Sequence, residues 1–454
     1  MPTARPRHPA PSRRAATPAV AALAVLLAGA PGAAAGEAAA ADPEPAFAVH
    51  GQTTFVEQET NAFHAPYRGP NSLTPDQGRE TFDATLFLGA RLWPGAEGWL
   101  VPELDQGFGL DDTLGLAAFP SGEAYKVGRK EPYLRLPRLF VRQTIDLDER
   151  REPLEAGLLA LGGRASPDRV VVTLGKFSVG DVFDTNRYAH DSHADFLNWA
   201  AIDTGSFDYA ADAWGYTVGA SVEWYQGPWT LRGGVFALSS VPNSEHLDPG
   251  GHQFQLLAEL ERRYELGGQP GRVLVTGFDS RGRMGLLDEA VQQAEATGNP
   301  VDIAAVRRYR SRLGGGLSLE QQLAADLGLF VRAGGAAGNV ETYEFTDIDR
   351  ALAAGLSLGG RRWARADDTL GLALIDSAIS SARRRYLDAG GLGLLIGDGR
   401  LPNAGHEQVL ETYYAARVAG PVQVTLDYQC VNHPAYNRDR GPVSVLALRL
   451  HAQF

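Results

Sequence analysis

Hydrophobic and polar residues alternate over most of the chain. In residues 443–454, for example, Leu446 and Leu450 fall on one face of an extended strand, and Arg449 and His451 fall on the other. Successive side chains of a β-strand point to opposite faces, so each such segment has one apolar and one polar side. The pattern predicts strands that contact an apolar phase on one side and water on the other.

The alternation recurs in about sixteen segments, each long enough to cross a bilayer as a tilted strand, which takes about 9–11 residues. The segments lie at 46–57, 80–92, 96–106, 138–148, 168–178, 212–226, 228–239, 251–266, 270–281, 308–323, 325–338, 350–364, 367–378, 405–419, 420–433 and 441–454.

The connections between these segments alternate between short and long. The short turns contain Pro94-Gly95, Gly227-Pro228, residues 267–271, Ala324-Ala325 and Gly420-Pro421. The long connections are 58–79, 107–137, 179–211, 282–307 and 379–404. The connection at 149–167 is an exception, since it falls among the short turns but is long enough for a small helix. Tight turns on one rim and long loops on the other are typical of an up-and-down barrel with both chain ends in the periplasm.

These features predict an all-β fold, a transmembrane antiparallel up-and-down β-barrel of about sixteen strands with long extracellular loops. Phe454 ends a strand with apolar residues at every second position, which resembles the C-terminal signal that the barrel-assembly machinery recognises. A soluble β-sandwich or propeller is the alternative fold, but the sequence has no repeat of blade length to support it.

One segment departs from the alternation. In residues 284–296, Leu287, Ala290, Val291 and Ala294 recur at helical spacing. We predict a short helix there. Its place in a long connection leaves two interpretations: it folds over or into the mouth of the barrel, or it is an external addition.

Residues 1–41 have the pattern of a secretory signal peptide. Four arginines precede an apolar stretch at 15–30, and small residues follow. We expect cleavage to leave residues 42–454 as a single barrel domain in the outer membrane of a Gram-negative bacterium. Loss of four Arg and Glu37 changes the formal net charge from −12 to −15, which argues against a nucleic-acid partner.

Composition narrows the class of protein further. The single Cys430 excludes an intramolecular disulfide framework. Beyond the first forty residues no uninterrupted apolar run reaches the roughly 18 residues that suggest a membrane-spanning helix. The mean hydropathy of −0.19 fits either a soluble protein or a barrel with a polar lumen.

A barrel of about sixteen strands leaves an aqueous channel, so the inward-facing residues decide what passes. If the apolar faces meet lipid, charged side chains face the lumen, because charge on the lipid face is costly. Arginines at 308, 310 and 312, with one at 332 on the next strand, form a dense basic ladder. The candidates on the strands are Glu103, Asp105, Arg142, Arg308, Arg310, Arg312 and Arg332.

The connection at 179–211 combines carboxylate, guanidinium, amide and aromatic groups, among them Asp184, Arg187 and Trp199. Such groups suit a neutral sugar, since hydroxyls pair with charged partners and the apolar face of a pyranose packs on a flat ring. The alternative is a loop held by its own salt bridges, with Trp199 as a packing anchor. The spacing of Asp184, His190, Asp191 and His193 matches no established metal site, so no metal or cofactor is predicted.

Several stretches carry a family resemblance. They include H-G-Q-T-T-F-V at 50–56, P-E-L-D-Q-G-F-G-L at 102–110, G-K-F-S-V-G-D-V-F-D-T-N-R-Y-A-H-D at 175–191 and N-H-P-A-Y-N-R-D-R-G-P-V at 432–443. These residues resemble the carbohydrate-selective porins (OprB type) of Gram-negative outer membranes, and the matching stretches cover nearly the whole mature chain.

The resemblance implies a sixteen-stranded barrel that lets sugars diffuse across the outer membrane, often as a homotrimer. It also implies a constriction of charged and aromatic groups. By position, we expect Glu103 and Asp105 to accept hydroxyl hydrogen bonds and Trp199 to stack on the sugar. The expected donors are Arg142, Arg308, Arg310 and Arg312.

The function predicted from the sequence is therefore passive diffusion of monosaccharides or short oligosaccharides through a channel that is not an enzyme. Its expected partners are sugar solutes and outer-membrane lipid, and its preference between cations and anions stays open. One alternative is a secreted or outer-membrane glycoside-processing enzyme with a carboxylate pair such as Asp181 and Asp184. The other is a barrel that is plugged by its loops and binds at the surface.

Overall fold

The computed structural model describes residues 45–454, which form strands with a few short helices. The strands are β1 (Phe47–Thr60), β2 (Gln77–Trp93), β3 (Ala96–Gly107), β4 (Arg129–Asp146), β5 (Glu152–Leu154), β6 (Gly163–Ala165), β7 (Arg169–Phe177), β8 (Thr217–Gln226), β9 (Trp229–Ala237), β10 (Phe254–Leu266), β11 (Gln269–Met284), β12 (Arg308–Ala324), β13 (Leu327–Ala336), β14 (Arg350–Gly359), β15 (Thr369–Ala378), β16 (Glu407–Ala419), β17 (Val422–Asn432) and β18 (Val443–Gln453). The helices are α1 (Trp199–Ile202), α2 (Leu287–Thr297) and α3 (Ser381–Asp388).

Sixteen of these strands close into one antiparallel barrel. Each pairs with its neighbour in the sequence, except that β4 pairs with β7 and β1 completes the ring by pairing with β18. The predicted barrel, its strand number and its up-and-down order are confirmed. The signal peptide predicted at 1–41 lies outside the described residues.

Side chains alternate between the two faces of the barrel wall as predicted. In β15, Leu370, Leu372 and Leu374 are exposed on the outside, while Ala373 and Ile375 are buried inside. A ring of exposed apolar residues runs around the barrel, which is the surface that a bilayer solvates. Its members include Leu134, Leu174, Leu231, Leu256, Leu313, Leu352, Leu426 and Leu446. Among the helices of residues 45–454, none has both the length and the apolarity needed to cross a membrane.

The last residue takes part in closing the barrel. The backbone N–H of Phe454 donates to the carbonyl oxygen of Gly51 at 2.9 Å, and the N–H of Gly51 donates back to Phe454 at 2.9 Å. The Phe454 ring covers Gly51 so closely that a Cβ at Gly51 would lie 2.5 Å from it. A larger residue at position 51 would therefore displace the Phe454 ring where the first and last strands meet.

The turns of one rim agree with the sequence analysis. The residues between paired strands are 94–95, 227–228, 267–268, 325–326 and 420–421. The connection after β4 differs, since it contains the two-stranded sheet of β5 and β6 instead of the small helix that its length suggested. Pro153, which lacks an N–H, and Gly162 and Gly163, both at positive φ, favour this hairpin over a helix.

The predicted helix at 284–296 is present as α2. Leu287 and Ala290 are its buried residues, and Gly298 ends it in the left-handed conformation. The helix packs against α3, and Arg385 of α3 bonds Asp288 at 2.8 Å. The sequence analysis did not predict α3, although Ser380 caps its first turn by accepting from the N–H of Arg383.

The long connections turn inward instead of standing clear of the barrel. Most of loop 178–216 is buried, and residues 196–213 are buried without a break. The connection at 337–349, for which the pattern made no prediction, is buried from 340 to 349. The lumen is therefore largely filled by loops, and the width of the passage depends on them more than on strand number.

We expect Leu374→Arg to destabilise the barrel by about 2–4 kcal/mol, because an arginine near the bilayer midplane loses hydration on the lipid face. Leu374 lies in the middle of β15 and is 60% exposed. The measurement is the free energy of unfolding by reversible urea titration in phospholipid vesicles. Leu92→Arg is the matched control, since Leu92 is exposed but adjoins a turn, where a cost of about 0–1 kcal/mol is expected. Equal losses at the two positions would contradict a lipid-facing band.

Candidate functional site in the barrel lumen

Two charged side chains of the wall hold loop 178–216 across the lumen. Arg332 of β13 donates to the backbone carbonyl oxygens of Ala189, Ala201 and Asp184 at 2.5, 2.6 and 2.8 Å. Three strands further round the ring, Glu411 of β16 accepts from the N–H of Leu197 at 2.6 Å. Irregular loops leave backbone groups unpaired, and these wall residues satisfy them. The loop is therefore fixed to the wall at two points, one on β13 and one on β16.

A second anchor joins two inward loops. Arg312 of β12 is fully buried, and its guanidinium donates to Asp208 of loop 178–216 at 3.0 Å. Asp208 also accepts from the N–H groups of Tyr343 and Glu344, both at 2.7 Å. This carboxylate therefore binds one loop to the wall and to the other loop.

A cavity of about 440 Å³ remains between these loops and the wall of β1–β4. Its size lies within the range of about 300–1,000 Å³ found for small-molecule sites. Acidic, basic and aromatic groups all line it, including Asp83, Glu103, Glu123, Lys126, Arg135, Arg138, Asp181, His193, Trp199, Asp203, Tyr209, Trp214, Tyr216 and Phe345. The cavity thus combines the groups that hydroxyls and sugar rings contact.

A β-bulge in β4 supplies the basic side of the cavity. Arg138 lies opposite Val101 and Arg135 opposite Glu103, so β4 has one residue more than β3 over this stretch. The extra residue lets side chains three positions apart point to the same face, here the lumen. Pro137 lies inside the bulge, where the strand pairing is interrupted and a missing N–H is tolerated.

Each of these guanidinium groups is paired with carboxylates. Arg135 bonds both Glu103 and Asp105, and Arg138 bonds the two oxygens of Asp181 at 2.9 and 2.7 Å. Such paired geometry fixes the plane of a guanidinium and leaves its remaining N–H groups for other acceptors. The basic side is therefore both rigid and locally neutralised.

Aromatic rings pack beside the same guanidinium groups. Arg135 lies 5.2 Å from the Trp214 ring and 5.4 Å from the Tyr216 ring, and Arg138 lies 4.9 Å from the Tyr216 ring. These distances fit cation–π contacts, which hold a flat ring and a flat cation together.

A second aromatic cluster surrounds Trp199. Its ring stacks on Phe119 with centroids 5.1 Å apart and lies 5.6 Å from Tyr209 and 5.5 Å from Phe345. Trp199 is only 4% exposed. It contributes an edge to the cavity and packs mainly against other rings, so both interpretations of this residue, stacking surface and packing anchor, describe part of its role.

The acidic side of the cavity is built around His193. Burial lowers the pKa of this imidazole, but Glu123 and Asp191 outweigh burial and hold the pKa well above its usual range. Nδ1 of His193 lies 2.6 Å from Asp191, and Nε2 lies 3.3 Å from Glu123. A proton or another cation is therefore stabilised at this position.

The structure places the site residues predicted from the sequence in several different environments. Glu103 and Trp199 line the cavity. Asp105 lies beside Glu103, because both carboxylates form salt bridges with Arg135. Asp184 is also buried in an anchor, where it accepts from the N–H of Thr204 at 2.6 Å.

Other candidates lie away from the cavity. Arg142 donates to Glu97 at 3.2 Å and to the carbonyl oxygen of Leu159 at 2.7 Å, which holds the connection after β4. Arg187 is exposed at a different pocket. The predicted basic ladder is split by the loops. Arg312 and Arg332 are buried as anchors, whereas Arg308 is exposed and Arg310 bonds Glu289 of α2 at 2.7 Å at the rim.

The sequence analysis missed the basic pair Arg135 and Arg138. It began the fourth segment at 138, directly after Pro137, whereas β4 begins at Arg129. The alternating positions Tyr133 and Arg135 against exposed Leu134 were the signal that a strand continues before the proline. The alternation does not predict the bulge, because a strict two-residue period places Arg135 and Arg138 on opposite faces.

The family model of the carbohydrate-selective porin, OprB family, matches residues 71–454. No curated protein matches the chain.

Solved structures share the architecture at low identity. The high-pH structure of OprB from Pseudomonas putida is 15% identical, with a TM-score of 0.68 over 90% of this chain and 94% of that one. The low-pH structure of the same porin is 12% identical, with a TM-score of 0.48 over 90% and 93%. The outer membrane channel DcaP of Acinetobacter baumannii is 11% identical, with a TM-score of 0.47 over 90% and 97%. At these identities the similarity concerns the fold alone.

We expect the ion preference of the lumen to depend on Asp203. Burial raises the pKa of this cavity carboxyl to about 6, with Asp184 also raising it and His190 and Arg332 lowering it. Asp203 is therefore charged at about pH 7.5 and mostly neutral at about pH 5. The ratio of K⁺ to Cl⁻ permeability should fall over this interval, as measured by reversal potentials in a KCl gradient.

The Asp203→Asn variant separates this carboxyl from other titrating groups. It should have a lower K⁺ preference at pH 7.5 and a smaller change on acidification, because it has no proton to gain at this position. The control is Asp376→Asn, which removes an exposed carboxyl bonded to His406 outside the cavity. A pH response in Asp203→Asn as large as that of the wild type would contradict the assignment.

Proposed function

The chain belongs to the OprB family of carbohydrate-selective porins, and we propose on this premise that it lets sugars diffuse passively across the outer membrane towards the periplasm. An outer-membrane channel for carbohydrates is what the family and the fold support. Beyond this, we propose that diffusion is passive and that the solutes are monosaccharides or short oligosaccharides.

The observation that carries the proposal is the composition of the cavity wall. Paired guanidinium and carboxylate groups on Arg138, Asp181 and Glu103 offer directed donors and acceptors to hydroxyls. Rings such as Tyr216 and Trp214 lie beside them and offer an apolar surface to the C–H face of a pyranose. A neutral polyol uses both kinds of contact at once.

The same arrangement favours weak binding. Each guanidinium already has a carboxylate partner, so a sugar hydroxyl adds a hydrogen bond to an existing pair and displaces water in doing so. A net gain of only about 0.5–1.5 kcal/mol per hydrogen bond is typical under such exchange. Channels need binding strong enough for entry and weak enough for release, which these contacts meet.

Asp181 and Asp184, the carboxylates considered for an enzyme, do not form a catalytic pair. Asp181 is bound to Arg138, and Asp184 is bound to Thr204 and lies 3.6 Å from Arg332 in a buried anchor. The two groups therefore serve different contacts and do not flank a shared space for a glycosidic bond, as acid and base must. A channel rather than an enzyme fits the family.

Three further points belong to the proposal. Residues 1–41 act as a cleaved export signal, and 42–454 form the mature barrel. The strand ending in Phe454 directs assembly into the outer membrane, which is consistent with its place at the closing seam beside Gly51. A homotrimer is the proposed assembly.

We expect the purified barrel to form stable open channels in planar bilayers. Millimolar glucose should lower their conductance reversibly, because sugar in the cavity displaces ions. A liposome-swelling series with glucose, disaccharides and amino acids then measures which solutes pass. Conductance with no effect of any sugar would contradict carbohydrate passage, and release of hydrolysed sugar without conductance would favour the enzyme.

We also expect Arg138→Met to weaken the block by glucose by up to about tenfold, since such a hydrogen bond contributes about 0.5–1.5 kcal/mol net. Methionine keeps most of the stem volume of arginine but has no donor. The matched control is Arg310→Met, an arginine at the rim outside the cavity. Heat-modifiable migration on gels checks that both variants remain folded. An unchanged half-blocking concentration in folded Arg138→Met would contradict a donor role.

A further inference from the structure

Three side chains from separate parts of the chain meet at the acidic side of the cavity. Asp83 lies on β2, Glu123 on the connection at 108–128, and His193 on loop 178–216. Each offers one ligand atom, and these atoms all lie within 4.8 Å of one another. Nε2 of His193 and Oε2 of Glu123 are 3.3 Å apart. That separation equals the edge of about 3.3 Å expected for a tetrahedron with metal–ligand bonds of about 2.0 Å.

Asp83 has an unsatisfied oxygen in this cluster. Its side chain is 5% exposed, and among residues 45–454 no group forms a hydrogen bond with its Oδ1. A buried polar oxygen without a partner is costly, and buried carboxylates in folded proteins are paired or coordinate metals. The nearest carboxylate of the cluster, Glu123, adds negative charge instead of neutralising it.

The two loop ligands are already oriented by neighbours. Nδ1 of His193 lies 2.6 Å from Asp191, which leaves Nε2 directed at Glu123. Ser192 donates its hydroxyl to Oε1 of Glu123, which leaves Oε2 on the side of His193. Histidine ligands in metal sites have this arrangement, with one ring nitrogen bonded to a carboxylate and the other facing the ion.

We propose that Asp83, Glu123 and His193 bind a first-row divalent cation, for which Zn²⁺ is the probe. One imidazole nitrogen and two carboxylate oxygens suit such ions, whereas Ca²⁺ and Mg²⁺ prefer oxygen ligands alone. The amide nitrogen of Gln52 lies 3.0 Å from Nε2 of His193, and this hydrogen bond is replaced when the ion binds. Water or a sugar hydroxyl completes the coordination.

A bound metal ion links three segments that are far apart in the sequence. It ties the connection at 108–128 and loop 178–216 to β2, so it stabilises the inward loops against the wall. It also places positive charge at the acidic side of the cavity, which lowers the preference of the channel for cations. The metal ligands line the same cavity as the proposed sugar contacts, but the passage of sugars does not require the metal.

The test is calorimetric titration of the folded full-length barrel, freed of metal by a chelator, with Zn²⁺ alone. We expect one saturable site per chain. Glu123→Gln and His193→Asn should each weaken binding by at least about tenfold, because substitution of a ligand removes one of three protein contacts. His406→Asn is the matched control, since it removes another histidine that is paired with an aspartate, 2.7 Å from Asp376 at the protein surface. It should bind Zn²⁺ as the wild type does.

Three outcomes would overturn the site: no saturable Zn²⁺ binding by the folded wild type, equal binding of Ca²⁺, or an equal loss in His406→Asn. Asp83→Asn provides an independent ligand variant, and gel migration shows whether each variant is folded. The effect of glucose on conductance is measured on metal-free protein. Failure of the metal site therefore leaves the sugar result intact, and the reverse also holds.

Discussion

Buried arginines on the barrel wall make the contacts that determine the shape of the lumen. Arg332 and Arg312 donate to loop backbone and loop carboxylate, and Arg449 of β18 donates to the carbonyl oxygens of Ser192 and Asp195. A guanidinium has five N–H donors in one plane, so a single side chain satisfies several carbonyl oxygens of an irregular loop. Without these donors the inward loops would bury unpaired backbone groups inside the barrel.

The anchors narrow a wide cylinder. Sixteen strands alone leave an aqueous channel, and the anchored loops fill much of it and leave a cavity of about 440 Å³ beside β1–β4. The groups that line this cavity lie on rigid strands or on loops fixed by the anchors. Donors, acceptors and rings are therefore positioned before a solute arrives, so little conformational entropy is lost when one enters.

The barrel could be predicted from the sequence because the two-residue period is local. Each strand of the barrel shows its own alternation, and all sixteen segments are found with boundaries shifted by a few residues, apart from the start of β4. Charged positions such as Arg312 and Arg332 were correctly placed on the inner face. Their role as anchors could not be predicted, because it depends on contacts with Asp208 and Ala201 that are distant in sequence.

The cavity wall carries both basic and acidic groups, and this mixture bears on the proposed passage of neutral sugars. Arg138 and Arg135 lie on one wall, while Asp83, Glu123 and Asp203 lie elsewhere around the cavity. An ion is attracted to one side and repelled by the other, and the arginines are already neutralised in part by their carboxylate partners. A sugar has donors and acceptors on every side, so it contacts both walls at once without needing to displace a counter-ion. Charge that is paired and fixed is therefore consistent with the proposal that the passage takes neutral polyols.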